Sequence, residues 1–420
     1  MCQESWPNEG EGIVFSFVED GSITCVPCFE AAGVACGLKP NGALDLALVA
    51  ASRPCVAAGV FTTNLFQAAP VIYDRQVLAR NAAGVQAVVI NSGCANACTG
   101  DQGLRDAAAT AVAAAAALGL PEDAVLVMST GVIGKLLPME RILAGIAAAT
   151  AQRSAKVEAG HAAARAIMTT DTRPKEIALR VQTAEGHFTI AGMAKGAGMI
   201  HPNMATLLSL VVTDVALSPA LAQRALREAV DESFNMITVD GDTSTNDTVL
   251  LLANGAAGLA PITHEASPLY AAFGAALREV LLHLAQAIVR DGEGATRFIA
   301  ITVEEAADRA GAKQVAMAVA KSLLVKTAIY GQDANWGRIV CAIGYSGVPL
   351  QPERVGVWLG DLELVRGGAP YHLDEERASQ ILAQAEIPIR ITLGQGEARA
   401  TVWTCDLSHR YVDINAHYRT

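Results

Sequence analysis

The chain has 420 residues, of which 52% are hydrophobic and only 17% charged, so it can bury a large core and build more than one structural unit. Its formal net charge of -11 argues against nucleic acid or an anionic membrane as partner, since both reward clustered Lys and Arg, and points to small-molecule partners. The longest uncharged apolar stretch near the middle, 107–120, stops at Pro121 and is shorter than the roughly 20 residues that a bilayer span needs.

Residues 1–12 carry neither a basic n-region nor an apolar h-region, so they do not read as a secretory signal, and a cytoplasmic location is expected. The next elements are two short strands, 13–18 and 23–26, flanking Glu19-Asp20-Gly21-Ser22 as a hairpin. The nine cysteines are odd in number and spread along a long chain, which reads as reduced thiols rather than a disulfide framework. Cys25 and Cys28 have dithiol spacing, but no second such pair or close His pair completes a metal set, and no metal is expected.

Residues 86–90 read as a buried strand entering a glycine turn, and 106–118 and 139–150 as Ala-rich helices. The apolar run 124–128 leads into Ser129-Thr-Gly-Val-Ile-Gly134, where a hydroxyl and backbone N–H groups can converge on one oxygen. That stretch is not a P-loop: its glycine spacing is short and Leu136 follows Lys135 where Ser or Thr is required. Ser218-Pro219 and Ser267-Pro268 each place an N-cap before a proline at the first helical position, opening helices that reach about 234 and 289. Asp240, Asp242 and Asp247 lack EF-hand spacing and read as a polar, hydrogen-bonded turn. Residues 389–393 and 398–402 alternate around Gly394-Gln-Gly396 and predict a two-strand ribbon.

The most informative segment is Lys195-Gly-Ala-Gly-Met-Ile-His-Pro-Asn-Met-Ala-Thr206, which sets an Ala205-Thr206 bond between a Gly-rich approach and the apolar run 207–212. Cleavage there would give Thr206 a free α-amino group of pKa about 7.7–8.0, able to act as base towards its own hydroxyl. One residue then supplies nucleophile and base. An ordinary Gly-rich loop entering a buried strand has the same local composition.

In this segment the chain resembles the glutamate N-acetyltransferase family, the bifunctional ornithine acetyltransferases of arginine biosynthesis. The similarity extends to Ala32-Gly-Val-Ala-Cys-Gly37, Ala58-Gly-Val-Phe-Thr-Thr-Asn64, Asn91-Ser-Gly-Cys-Ala-Asn-Ala-Cys-Thr-Gly100 and Ser129-Thr-Gly-Val-Ile-Gly134. It continues through Asp240-Gly-Asp-Thr-Ser-Thr-Asn-Asp247, Asp291-Gly-Glu-Gly-Ala-Thr296, Asp333-Ala-Asn-Trp-Gly-Arg338 and Ile414-Asn-Ala-His-Tyr-Arg-Thr420. It covers roughly 22–420, which leaves no room for chance similarity of one motif.

The resemblance implies an α/β fold of two lobes with an α/β/β/α sandwich architecture. An N-terminal extension, 1–21, is followed by a main lobe, 22–300, and a smaller lobe, 301–420, whose tail returns to the site. The resemblance also implies self-cleavage between Ala205 and Thr206 into chains 1–205 and 206–420, assembled as α2β2. Thr206 is then the nucleophile, and Thr130 and Gly131 form the oxyanion hole. Substrate contacts fall on Thr169, Lys195, Thr206, Glu293, Asn415 and Thr420. Their chemistry suits an amino acid, since Lys195 can meet a carboxylate and Glu293 an ammonium.

The implied reaction moves acetyl from N-acetylornithine to glutamate by a ping-pong route that needs no cofactor, because the acyl group stays on the protein. Acetyl-CoA as a second donor stays open, since the family contains both kinds. An amidase or aminopeptidase on the same self-processing scaffold, and an unprocessed binding protein, are the alternatives.

Overall fold

The computed structural model describes residues 13–201, 207–372 and 374–417, with the backbone alone at Asn41. The fold follows from strands that bury both faces. In Lys175–Thr183, residues Ile177, Leu179 and Val181 enter one core while Ala178 enters another; in Thr248–Ala253, Val249 and Leu251 likewise part from Leu250 and Leu252. Because side chains alternate along a strand, each such strand must be covered on two sides.

One cover is helical: Pro219–Asp231 and Pro268–Arg290 pack on the outer face of the sheet that also holds Gly186–Lys195 and Leu208–Thr213. The other cover is a second sheet, of Phe29–Val34, the first part of Leu46–Phe61, Val85–Cys94 and Val125–Val132. Its far face, through Leu46, Leu48, Ala87, Val89, Val125 and Val127, meets the helices Gly100–Leu118 and Met139–Gln152. The order is helix, sheet, sheet, helix, as the α/β/β/α expectation has it.

The strand Leu46–Phe61 belongs to both layers. Residues 46–51 pair with 29–34 and 85–94, the exposed Ser52-Arg53-Pro54 breaks the register, and 56–61 pair with 248–253. Proline lacks the N–H a ladder needs, so the crossing between layers falls there.

A second sheet system of six strands builds the other lobe, in the order Ala369–Pro370, Leu362–Arg366, Gly356–Leu359, Glu386–Thr392, Phe298–Ala306, Ala398–Cys405. The strands 386–392 and 398–405 are therefore not partners, contrary to the ribbon expectation: 298–306 lies between them, parallel to one and antiparallel to the other. The Gly394-Gln-Gly396 turn instead crosses the end of that middle strand, with Gln395 N–H donating to Glu305 O at 2.7 Å. All three strands send Ile or Val into one core, and a central strand satisfies backbone groups on both edges, which a bare ribbon cannot.

The first hairpin is also absent. Val14–Phe17 pairs antiparallel with Lys175–Thr183, and Ile23–Cys25 forms a single 3-10 turn. Ile23 and Val26 are both buried in the core between the sheets, so they share a side rather than alternate, while the Ser22 hydroxyl donates to Val157 O at 3.1 Å.

Among the helices, Gly100–Leu118 begins before the Ala-rich run, because Asn96 Nδ2 donates to Gly103 O at 2.9 Å and draws the unfavourable Gly-Asp-Gln-Gly start into the first turn. Ser218 caps Pro219–Asp231 by accepting from Leu221 N–H at 3.3 Å; the helix ends at Asp231, and Phe234–Met236 is a separate 3-10 turn. The 23-residue helix Pro268–Arg290 is long and apolar enough to cross a membrane, yet Phe273, Leu277, Leu281, Leu284 and Ile288 are buried against the sheet.

The edge strand Val125–Val132 leaves N–H groups without a strand neighbour, and one is met by Asp74, fully buried on the helix Ala69–Asn81, whose Oδ1 accepts from Val127 N–H at 2.8 Å. Its Oδ2 has no partner among the described residues, and burial pushes its carboxyl well above the usual range. A raised carboxyl stabilises the fold fully below its unfolded pKa of about 3.9, and that contribution is lost as pH rises through the folded value. Asp74→Asn keeps the acceptor without the charge, so its melting temperature is expected to match the parent near pH 4 and exceed it at pH 8. Thermal unfolding at the two pH values checks this.

Candidate functional site

With both sheet faces sealed, polar side chains gather mainly at strand ends, and one end holds a dense group of them. Five segments converge there: the end of Val125–Val132, the loop 167–174, the end of Gly186–Lys195, the turn 240–247, and the loop after Arg290. The helix His409–His417 returns across them. Together they enclose a cavity of about 120 Å³ whose lining includes Thr130, Gly131, Thr169, Lys195, Glu293 and Asn415. Those six are all the expected site residues within the described range; Ala205, Thr206 and Thr420 lie outside it.

Thr130 and Gly131 sit where two parallel strands part. Gly131 has φ 126° and Gly93, its register partner, φ 102°; a Cβ on Gly131 would overlap the Gly93 carbonyl carbon. Only glycine lets the two backbones approach this closely in that conformation. Thr130 is buried, and its Oγ1 accepts from Lys195 Nζ at 3.4 Å. Burial pulls the Lys195 ammonium below its usual range, with Asp171 opposing that drift.

A buried ion cluster underlies this wall. Lys175 Nζ reaches Asp171 Oδ1 and Asp291 Oδ2, each at 2.6 Å, with all three side chains essentially inaccessible to water. Asp171 also accepts from Gly196 N–H at 2.7 Å and Thr169 N–H at 2.9 Å, and Asp291 from the Thr172 N–H and hydroxyl. Burial alone would raise the Asp171 carboxyl, but Lys195 and Lys175 outweigh it and hold it well below the usual carboxylate range. The cluster thus fixes both the loop of Thr169 and the backbone just beyond Lys195.

Glu293 forms the opposite wall. Its Oε2 accepts from Asn415 Nδ2 at 2.7 Å, tying the returning helix to the pocket, and its carboxylate lies flat on Gly198, where a Cβ would overlap it. None of the residues of His409–His417 is buried, so polar contacts hold that helix: Ser408 Oγ donates to Gly294 O at 2.6 Å and Tyr411 OH to Asp240 at 3.2 Å.

The turn 240–247 grips both flanks of the segment that carries the Ala205-Thr206 bond. Upstream, Asp240 accepts from Met199 N–H at 2.6 Å and Ile200 N–H at 2.9 Å, and Val239 N–H donates to Ile200 O at 2.8 Å. Downstream, Asp247 accepts from Leu207 N–H at 3.0 Å, and Thr248 N–H donates to Leu207 O at 3.1 Å. Met199 adopts φ 56°, a left-handed conformation that a side chain rarely takes unless its surroundings impose it. Sequence reading named this turn as polar but gave Asp240, Asp247 and Tyr411 no role; the dense run of Asp, Ser, Thr and Asn before an apolar strand was the signal available.

Among the described residues, no group of three or more His, Cys, Asp or Glu side chains is arranged to hold a metal ion, and every described cysteine is a free thiol.

Removing one partner from a buried ion cluster leaves uncompensated charge, at a cost of about 3–5 kcal/mol. Asp171→Asn is therefore expected to lose about that much stability at pH 7 by denaturant titration. A depressed carboxyl contributes fully above its unfolded pKa of about 3.9 and less as pH falls below it, so the gap to the parent should narrow on acidification.

Comparison with known proteins follows the same lines. A profile of the ArgJ family matches residues 30–420. The arginine biosynthesis bifunctional protein ArgJ of Symbiobacterium thermophilum is 54% identical over 403 residues, covering 95% of this chain and 99% of that protein. The protein of the same name in Geobacter sulfurreducens is 51% identical over 395 residues, covering 93% of this chain and 99% of its own length. The mitochondrial ArgJ of Neurospora crassa is 48% identical over 415 residues, covering 93% of this chain and 88% of that protein. A family match over almost the whole length, on a chain whose described candidate site residues meet at one cavity, leads to one conclusion: the chain belongs to the ArgJ family.

Proposed function

We propose that this chain, an acyltransferase of arginine biosynthesis, cuts itself between Ala205 and Thr206 and then uses Thr206 to carry acetyl from N-acetylornithine to glutamate. The observation that supports the reading best is the convergence of Thr130, Gly131, Thr169, Lys195, Glu293 and Asn415 on one cavity, beside a segment whose two flanks, Ile200 and Leu207, are pinned by a single turn.

In the first half-reaction the Thr206 hydroxyl attacks the acetyl carbonyl and its proton passes to the α-amino group of the same residue. The oxyanion develops against Thr130 and Gly131, where each preorganised donor is worth about a hundredfold to a thousandfold in rate. The proton then leaves with ornithine. In the second half-reaction the glutamate amine attacks the threonine ester, and the same groups act in reverse. Lys195 meets the substrate α-carboxylate, Glu293 and Asn415 hold its polar end, and Thr169 and Thr420 close the remaining contacts. The acetyl group stays on Thr206 between the halves, so the scheme draws on no bound cofactor. The reading extends to a cytoplasmic α2β2 assembly, since the two chains share the site.

Intact mass tests the first step without substrate. The parent protein is expected as two masses, for 1–205 and 206–420, and Thr206→Ala as one full-length mass with no acetyl transfer; an active Thr206→Ala variant would overturn the mechanism.

Gly198→Ala tests substrate placement. Its Cβ must displace the Glu293 carboxylate, so KM for the amino-acid substrate is expected to rise about tenfold, equivalent to about 1.4 kcal/mol, with kcat changed far less. Steady-state kinetics at fixed pH checks this.

A further inference from the structure

We propose that Asn246 is the positioning residue of the oxyanion pair: its side-chain amide ties the carbonyl just before Thr130 to the carbonyl just after Cys94, and so fixes where Thr130 and Gly131 present their donors. The inference rests on the reading of those two residues as the oxyanion pair, and goes beyond it by naming what holds them in place.

The place needs holding. Val125–Val132 is the edge strand of its sheet, so one side of it has no strand to fix it. Its ladder to Val85–Cys94 also becomes irregular at the site: the register shifts at Gly93 and Cys94, and Cys94 stands opposite both Thr130 and Val132. Gly131, at φ 126°, has no side chain to pack. Catalytic donors must nevertheless be held to within about 0.5 Å, and the sheet alone gives these little support.

Asn246 supplies what the ladder lacks. It is buried in the cavity wall, and its Nδ2 donates to Ala95 O at 2.7 Å and to Ser129 O at 2.8 Å. Carbonyl oxygens only accept, so both amide hydrogens are committed to those two bonds. Its Oδ1 accepts from the Thr245 hydroxyl at 2.6 Å, which keeps the amide facing that way. With its donors spent on backbone, Asn246 acts on a substrate through its neighbours.

The amide is anchored in turn. Asn246 N–H donates to Ser244 Oγ at 3.1 Å, its carbonyl accepts from Thr248 Oγ1 at 2.9 Å, and the Thr62 hydroxyl donates to Ser244 O at 2.7 Å. Asn91 makes the matching cross-link, accepting from Ser129 Oγ at 2.6 Å and donating through Nδ2 to Cys94 O at 2.8 Å. Two amides therefore bridge the parting of the strands, and removing Asn246 frees Ser129-Thr130 to shift against Cys94-Ala95.

Asn246→Ala in the full chain removes the tie and leaves Thr130, Gly131 and the substrate contacts present. Steady-state acetyl transfer from N-acetylornithine to glutamate, counted per cut chain by intact mass, is expected to lose about tenfold to a hundredfold in kcat, with KM within about twofold of the parent's. Combined with Thr130→Ala, the loss is expected to fall clearly short of the product of the two single losses, because the second change removes a donor already misplaced. An unchanged kcat, a loss carried mainly in KM, or single losses that multiply overturns the proposal. So does a folded variant that stays uncut on long incubation, since misplaced donors slow a step without abolishing it.

Asn246→Asp, of the same size but with one donor at most, is judged by the same criteria and decides if Asn246→Ala does not fold. Failure of the underlying reading looks different: Thr130→Ala alone would keep the parent's kcat, or the parent itself would stay uncut.

Discussion

The structure depends on two sheets that each bury both faces, one against the other and both against helices. A charged group within those layers carries a heavy desolvation cost, so the strands read as continuous apolar runs and ionisable groups gather at their ends, the buried Asp74 beside Val127 being held with its carboxyl well above the usual range instead. At one end the gathering is dense. Lys175, Lys195, Asp171, Asp291, Glu293 and Asp247 crowd there in surroundings that water scarcely reaches, and their charges act on one another far more strongly than surface pairs would. Lys175 bridges Asp171 and Asp291, Lys195 supplies the second cation that holds Asp171 ionised, and burial draws both the Lys195 ammonium and the Asp247 carboxyl away from their ordinary values.

The same constraint explains how the site is assembled from distant stretches. Parallel pairing of 85–94 with 125–132 aligns their ends, and the two glycines at the parting, Gly93 and Gly131, let backbone replace side chain beside the cavity. Parallel pairing of 208–213 with 248–253 puts Leu207 beside Asp247, so the turn 240–247 holds Met199 and Ile200 on one side and Leu207 on the other. The second lobe reaches the site through the helix His409–His417, which hangs on hydrogen bonds rather than on packing. A strap with no buried residue can open at small cost, and opening would release Glu293 from Asn415.

Sequence reading failed where pairing is non-local. The alternation in 389–393 and 398–402 identified two strands correctly, but strand 298–306 inserted between them, and nothing in a local pattern announces a partner some ninety residues away in the chain. The same holds for Val14–Phe17, which left its sequence neighbour for the strand Lys175–Thr183. Helix starts at Ser218-Pro219 and Ser267-Pro268 were legible because capping is settled within one turn of chain.

By itself, the sequence determined the elements with strong local signals, the identity of the motif residues, and membership of a family whose pattern runs through nearly the whole chain. It also marked the Ala205-Thr206 bond, through a glycine-rich approach and an apolar strand on either side. The tertiary structure alone decided which strands lie together, which acids are buried with an oxygen left unpaired, and how the turn 240–247 meets Ile200 and Leu207. The physical reason is that burial and electrostatic pairing depend on neighbours in space, whereas capping, turn chemistry and alternation depend on neighbours in the chain.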